Sequence, residues 1–255
     1  MERPVVVTGA SRGIGRALAL AFANKGMPLV ICARSGRDLD AVAREVRSAR
    51  VECQPVHADL STQQGRDALL AAVPGRIGGL VNNAGFGTAG PFAEQSAARE
   101  REMLRLNVEA VVDLIHGFLP RLDAGGFIVN VASTAGFQPV PLFATYSASK
   151  AFVLSLSEAL ADELAERRIH VMALCPGVTR TDFQRVASVN LAGPVADADD
   201  VARFALRALQ AGKRVAIHGA RNKLIVQSER LAPRRVVVKM ARKLMEPWFR
   251  ARTAP

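Results

Sequence analysis

The chain has 255 residues, 49% of them hydrophobic, enough for one sizeable α/β domain or two smaller ones. No apolar run reaches the roughly 18 residues of a spanning helix, and Met1-Glu2-Arg3-Pro4 passes at once into Val5-Val6-Val7, which leaves no room for a secretory leader and predicts a cytoplasmic protein. Three cysteines and four histidines without short spacing argue against a disulfide framework or a metal site; of the formal charge of +11, about +8 falls in residues 220–255, so the body is close to neutral.

Val5-Val6-Val7 followed by Thr8-Gly9-Ala10-Ser11-Arg12-Gly13-Ile14-Gly15 reads as strand, glycine turn and helix, the helix ending near Gly26. Such a turn lets the backbone approach a pyrophosphate, and the helix N-terminus offers free N–H groups and partial positive charge. Leu29–Ala33 is the second strand, closed by Arg34-Ser35. Dinucleotide folds that select NAD place an acid about 20 residues past the glycines. This chain has Arg34 there, 19 residues after Gly15, and a second arginine, Arg12, inside the turn. Guanidinium groups suit a 2′-phosphate, so NADP(H) is expected in preference to NAD(H).

Further along, Asp38–Ser48 reads as a helix and Cys53–Val56 as a strand. Asp59 or Ser61 either caps the next helix or, for Asp59, meets the adenine. Gly79–Val81 is a short strand that runs into Asn82-Asn83-Ala84-Gly85, and a helix covers about Arg99 to Leu119 with Asn107 in its middle. Gly126–Ala132 is a strand with Ser133 at its carboxyl end. Tyr146, the only tyrosine, opens a helix reaching roughly Arg167, with Lys150 one turn on. An ammonium there favours phenolate over phenol. Ile169–Leu174, Asp197–Gln210 and Arg214–Ile217 read as strand, helix and last strand. Alternating strands and helices predict one doubly wound parallel sheet of about seven strands with helices on both faces, spanning residues 1–219, and a helical extension over 220–255.

The glycine turn, Asn82-Asn83-Ala84-Gly85, Asn107, Ser133 thirteen residues before Tyr146, Lys150, and Pro176-Gly177 followed by Thr181 stand in the order and spacing of the short-chain dehydrogenase/reductase family, which residues 4–218 resemble. The resemblance implies a Rossmann-type hydride-transfer enzyme. Tyr146 would give a proton to a carbonyl oxygen or take one from an alcohol. Ser133 would hydrogen-bond that oxygen, Lys150 would lower the tyrosine pKa and hold the nicotinamide ribose, and Asn107 would hold a water behind Lys150. The cofactor would lie along Gly9, Ser11, Arg12, Gly13, Ile14 and Gly15, with Arg34 and Ser35 at the adenosine ribose and Asp59 and Leu60 at the adenine. Asn83, Ala84 and Gly85 would line its adenosine and ribose side, and Tyr146, Lys150, Pro176, Gly177, Val178 and Thr181 its nicotinamide end. A catalytically idle NADP-binding sensor or scaffold is the alternative.

No charged residue occurs from Gly126 to Ser149, and Phe86, Phe137, Val140, Pro141, Leu142, Phe143 and Phe183 stand near the expected substrate side. That predicts an apolar pocket for a lipophilic ketone, aldehyde or alcohol, with a short lid between Phe183 and Pro194. In the extension, Arg235, Lys239, Arg242, Lys243 and Glu246 share one helical face, and Val237, Met240, Ala241 and Leu244 lie opposite, with Trp248 in phase beyond Pro247. The segment 233–249 either packs on the body or a second subunit, or makes a peripheral contact with an anionic membrane. A homo-oligomer, a dimer in preference to a tetramer, is expected. Nucleic acid is disfavoured, because no base-reading aromatic set accompanies the charge.

Overall fold

A computed structural model of the chain describes residues 3–187, 189, 195–229 and 231–246. In chain order the first half contains β1 (Val5–Thr8), α1 (Gly13–Ala23), β2 (Leu29–Ala33), α2 (Gly36–Ser48), β3 (Cys53–His57), α3 (Gln63–Ala72) and β4 (Ile77–Asn82). The second half contains α4 (Ala97–Leu104), a π-helical turn at Arg105–Glu109, α5 (Ala110–Phe118), β5 (Leu122–Val131), α6 (Ala144–Glu163) and β6 (His170–Cys175). It closes with β7 (Thr179–Arg180), α7 (Phe183–Ala187), β8 (Ala196–Asp197), α8 (Ala198–Gln210), β9 (Val215–Ile217), α9 (Ala220–Glu229) and α10 (Arg234–Met245).

Seven strands form one parallel sheet in the order β3-β2-β1-β4-β5-β6-β9, as the alternation predicted. Side chains of adjacent strand residues point to opposite faces. Val5 and Val7 enter the layer made with Leu18 and Phe22 of α1 and Val201 of α8. Val6 enters the opposite layer with Leu69 of α3, Leu114 of α5 and Leu154 of α6. β1 and β2 are buried along their whole length, and each Val, Leu or Ile taken out of water contributes roughly 1.5–3 kcal/mol. Successive strands are laid outward from β1 in one direction and then the other. The crossover from β3 to β4 therefore leaves a crevice at the carboxyl ends of β1 and β4, the usual ligand position in such sheets.

Two helices differ from the sequence reading. The helix expected over 99–119 is interrupted at Arg105–Glu109 by a π-helical turn that carries Asn107. The Tyr146 helix ends at Glu163, before Arg167, because the chain turns through Arg168 in a left-handed conformation (φ 54°). That turn brings Ile169 into the core and His170 alongside Phe127 of β5.

The C-terminal extension folds back on the body. Val237 and Ala241, one turn apart on α10, are buried, and Met245 follows in phase, half-buried. Met240 and Leu244, which the sequence placed on the same apolar face, are 59% and 54% exposed, and with Val236 they form an outward stripe. The apolar arc is wider than the groove it packs on, so only one edge is covered. Arg235, Lys239, Arg242 and Lys243 face solvent. Pro247, Trp248 and most of the expected lid, 188 and 190–194, lie outside the described residues. No helix among the described residues is long and apolar enough to cross a membrane.

Candidate active site

The glycine turn is held between the ends of β1 and β4. Thr8 Oγ1 accepts the backbone N–H groups of Asn83 and Ala84, both at 3.0 Å, and donates to Val81 O at 3.2 Å. Asn83 Nδ2 returns hydrogen bonds to Thr8 O (2.9 Å) and Gly9 O (3.2 Å). Gly9 has φ 65°, and a Cβ there would lie 2.8 Å from Ala84 Cα. Only glycine fits both the conformation and the space, and its bare backbone faces a cavity of about 750 Å³. The first amides of α1, which have no partner within the helix, open on the same cavity. This cradle fits a dinucleotide pyrophosphate.

The cavity is continuous. From Gly9, Ser11, Arg12, Gly13, Ile14 and Gly15 it passes Arg34, Ser35, Asp59 and Leu60. It then runs along Asn83, Ala84 and Gly85 to Ser133, Tyr146, Lys150, Pro176, Gly177, Val178 and Thr181. Every sequence-predicted site residue except Asn107 lines it.

The end of the cavity beside Arg12 and Arg34 is charged. Arg12 donates to Asp182 Oδ2 at 2.7 Å and to Asp38 Oδ2 at 2.9 Å. Arg34 lies 3.2 Å from Glu102 and 3.8 Å from Asp59. Both arginines are thus in ion pairs. The hydrogen bond from Arg12 holds the Asp182 carboxyl below the usual carboxylate range. All these groups keep a large part of their surface in water, where such pairs contribute about 0–1 kcal/mol and exchange readily for a phosphate. Neither Asp59 nor Ser61 caps α3. That place is taken by Thr62, whose Oγ1 accepts Gly65 N–H at 3.0 Å. Asp59 Oδ1 instead accepts the N–H (3.0 Å) and hydroxyl (2.7 Å) of Ser61.

The other end is nearly uncharged. Tyr146 stands in the first turn of α6 with its ring between Phe143 (centroids 6.1 Å apart) and Phe183 (5.2 Å). Burial pushes its phenol up to about 12, against a smaller opposing effect of a hydrogen bond with Ser133. Lys150 is buried, its Nζ donates to Val131 O at 2.7 Å, and it lies 5.9 Å from the Tyr146 ring centroid. Burial also brings the ammonium down to about 8. The lowering of the tyrosine pKa expected from Lys150 is therefore not seen: the Tyr146 pKa is raised. Desolvation disfavours the charged form of each group, raising the phenol and lowering the ammonium.

Asn107, buried in the π-helical turn, is fully engaged. Its Nδ2 donates to Phe86 O (2.9 Å) and Ser149 Oγ (3.1 Å), and its Oδ1 accepts Phe86 N–H (3.2 Å). It pins the backbone after Gly85. A Cβ on Gly85 would lie 2.8 Å from Asn107 Oδ1 and 3.6 Å from Lys150 Nζ, so the two side chains are neighbours across that glycine.

Of the residues expected on the substrate side, Phe86, Val140, Phe143 and Phe183 line the cavity. Phe137, Pro141 and Leu142 do not. Phe137 packs on the core, and Leu142 forms a turn (φ 68°) whose carbonyl accepts Gly90 N–H at 2.8 Å. Sequence reading missed Gln138, Gln184, Ala241, Leu244 and Met245, which also line it. The helical phase of residues 234–245 marks an inward face but carries no sign of what lies under it. Among the described residues no cluster of His, Cys, Asp or Glu could hold a metal ion.

Comparison with known proteins places these features. Residues 3–192 match the sequence family described as short chain dehydrogenase. A short-chain dehydrogenase from Sphingobium yanoikuyae, solved with NADPH, superposes with a TM-score of 0.81 at 33% identity, covering 90% of this chain and 94% of that one. The bulky-bulky ketone specific alcohol dehydrogenase from Comamonas testosteroni gives 0.77 at 31% identity, over 90% and 92%. A family member from Burkholderia phymatum, solved with NAD, gives 0.82 at 28% identity, over 90% and 93%.

Proposed function

This chain belongs to the short-chain dehydrogenase family of oxidoreductases, and from that premise we propose that it transfers hydride between NADP(H) and a lipophilic carbonyl compound or secondary alcohol, with Tyr146 as general acid/base. The observation that carries the reading is the convergence of the phenol of Tyr146, the hydroxyl of Ser133 and the ammonium of Lys150 at the largely apolar end of a cavity that begins at a pyrophosphate-sized cradle.

The residues Gly9, Ser11, Arg12, Gly13, Ile14 and Gly15 would hold the diphosphate, with Arg34 and Ser35 at the adenosine ribose, Asp59 and Leu60 at the adenine, and Asn83, Ala84 and Gly85 along the middle. Pro176, Gly177, Val178 and Thr181 would hold the nicotinamide end. A bound nicotinamide supplies or accepts the hydride. The rest falls to side chains of this chain. Tyr146 Oη keeps its proton through the neutral range, because burial holds its pKa near 12, and can give it to a carbonyl oxygen. Ser133 Oγ hydrogen-bonds the same oxygen as negative charge develops on it. Lys150, still cationic below about 8, favours the phenolate left behind and so eases the transfer. Asn107 fixes the Phe86 backbone beside Lys150 and holds the floor of the site in place. Phe143 and Phe183 exclude water from the phenol.

The preference for NADP(H) rests on Arg12 and Arg34 at the adenosine end, since related structures hold either dinucleotide. The lipophilic substrate class rests on the apolar lining of Phe86, Val140, Phe143 and Phe183. The enzyme would work in the cytoplasm as a homo-oligomer, a dimer by preference. The outward stripe Val236–Met240–Leu244, flanked by Arg235, Lys239, Arg242 and Lys243, supports a peripheral contact with an anionic membrane. Incubation with NADPH and a panel of ketones and aldehydes, followed by loss of reduced-nicotinamide absorbance, tests the activity. Turnover with none of them, in a protein that still binds NADPH, would refute it. Co-sedimentation with anionic vesicles tests the contact, which predicts binding that weakens when Met240 and Leu244 are both replaced by Ser.

A further inference from the structure

We propose that α10 is a wall of the substrate site and that Met245 sets the size of the carbonyl compound that reaches Tyr146. The inference rests on the oxidoreductase reading and assigns a specificity element to it. The family match ends at residue 192, and α10 begins at Arg234. Even so, Ala241, Leu244 and Met245 border the same cavity as Tyr146 and Ser133. Met245 packs on a small apolar cluster that holds Val140 and Phe143 and touches Tyr146 and Phe183. The helix thus supplies part of the lining at the Tyr146 end of the cavity.

Three features hold α9 and α10 against the site. Val237 and Ala241 are buried beneath α10 and set its rotation, so that Met245, the next residue in phase, turns to the cavity. At the end of α9, Glu229 Oε2 lies 2.8 Å from the Gln138 amide nitrogen, with the amide oriented so that it also donates to Thr134 O at 3.1 Å. Thr134 follows Ser133 directly. Near the start of α9, Asn222 presses against Gly177, where a Cβ would stand 2.3 Å from Asn222 Nδ2. Only a residue without a side chain permits that approach. The α9–α10 pair is therefore seated on the loop after β5 and on the loop after β6, both of which line the reaction end.

The chemistry of the wall defines what it accepts. Ala241 leaves room, and Met245 is an unbranched thioether that adapts to irregular apolar shapes. Leu244, 54% exposed, ends the outward stripe and also borders the cavity. A carbonyl held by Tyr146 and Ser133 would place its larger apolar substituent against this helix. The class is a ketone with one bulky or extended hydrocarbon arm, and the arm, not the carbonyl, meets Met245.

Substitutions of opposite sign at Met245 test this in the full-length protein. With NADPH, kcat/KM is measured for acetone, cyclohexanone and a long-chain methyl ketone. Met245→Ala should raise the long-to-short ratio about tenfold and Met245→Trp should lower it about tenfold, since a few methylenes of pocket volume change discrimination by about that factor. NADPH binding should stay at the wild-type value. If Met245→Trp fails to fold, the Ala variant alone decides. A wild-type ratio in the folded variants overturns the wall. Absence of turnover in the wild type would instead be a failure of the oxidoreductase reading. In that event, binding of a fluorescent aryl ketone to the cofactor-free protein decides: affinity weakened about tenfold by Met245→Trp upholds the wall, and unchanged affinity overturns it.

Discussion

The two ends of the cavity are built from opposite materials. At the adenosine end Arg12 and Arg34 are met by Asp38, Asp182, Asp59 and Glu102, all partly in water. Around Tyr146 a buried lysine stands beside the largely apolar Phe86, Val140, Phe143 and Phe183. Exposed ion pairs are weak and exchangeable, so the first end can trade a carboxylate for a phosphate at little cost. The second end is dry, and its titrating groups are displaced far from their ordinary values. On the proposed function, affinity for the dinucleotide and chemistry at the carbonyl would fall on separate residues. They should respond separately to substitution.

The largest effect should come from the dry end. Tyr146→Phe removes the proton donor and keeps the ring between Phe143 and Phe183. Turnover should fall about 10²–10⁴-fold, the usual contribution of a positioned acid, while NADPH binding, followed by nicotinamide fluorescence, stays unchanged. Residual turnover near wild type would remove Tyr146 from the mechanism. At the wet end Arg34→Ala should weaken NADPH by roughly 10–100-fold, the loss of one charge-assisted contact of about 1.5–3 kcal/mol, and leave NADH nearly unaffected. An unchanged NADPH/NADH ratio would show that Arg34 does not meet the 2′-phosphate.

The smallest effect, about tenfold per pH unit, concerns Lys150. Its native pKa is near 8, against 10.5 for an ordinary lysine. Above about 8 the native protein loses this proton and the reductive kcat/KM should decline. The unfolded chain keeps the same proton up to about 10.5, so between these values it binds more protons than the native state. Stability contributed by this group therefore rises with pH over that window. Tyr146, raised from 10 to about 12, acts in the other sense only above pH 10. Activity that falls while stability rises between about 8 and 10 would identify Lys150, and Lys150→Met should abolish the rise.

Much of this was legible because it is local. A strand, a tight glycine turn and a helix lie within residues 5–23, and Tyr146 with Lys150 is a one-turn spacing. The sheet followed from the alternation of apolar runs. The partners of the arginines were not legible. Arg12 and Asp182 are 170 residues apart, and nothing near either one announces the other. The same holds for α10, whose amphipathic pattern fits a membrane, a subunit or its own body equally well. Only the fold shows that Val237 and Ala241 turn inward and Met240 outward. The direction of the Tyr146 shift was misread for a related reason. A lysine nearby predicts a lowered pKa, but how far both groups are removed from water depends on packing by Phe143, Phe183 and β5.

That one tyrosine among 255 residues stands at the reaction end also has a spectroscopic consequence. In most proteins an alkaline ultraviolet titration superposes many phenols. In this chain, every phenolate absorbance change belongs to the group assigned as proton donor. Ionisation of Tyr146, and its response to dinucleotide, ketone or a change at Met245, can be followed in the unlabelled protein by difference absorbance alone.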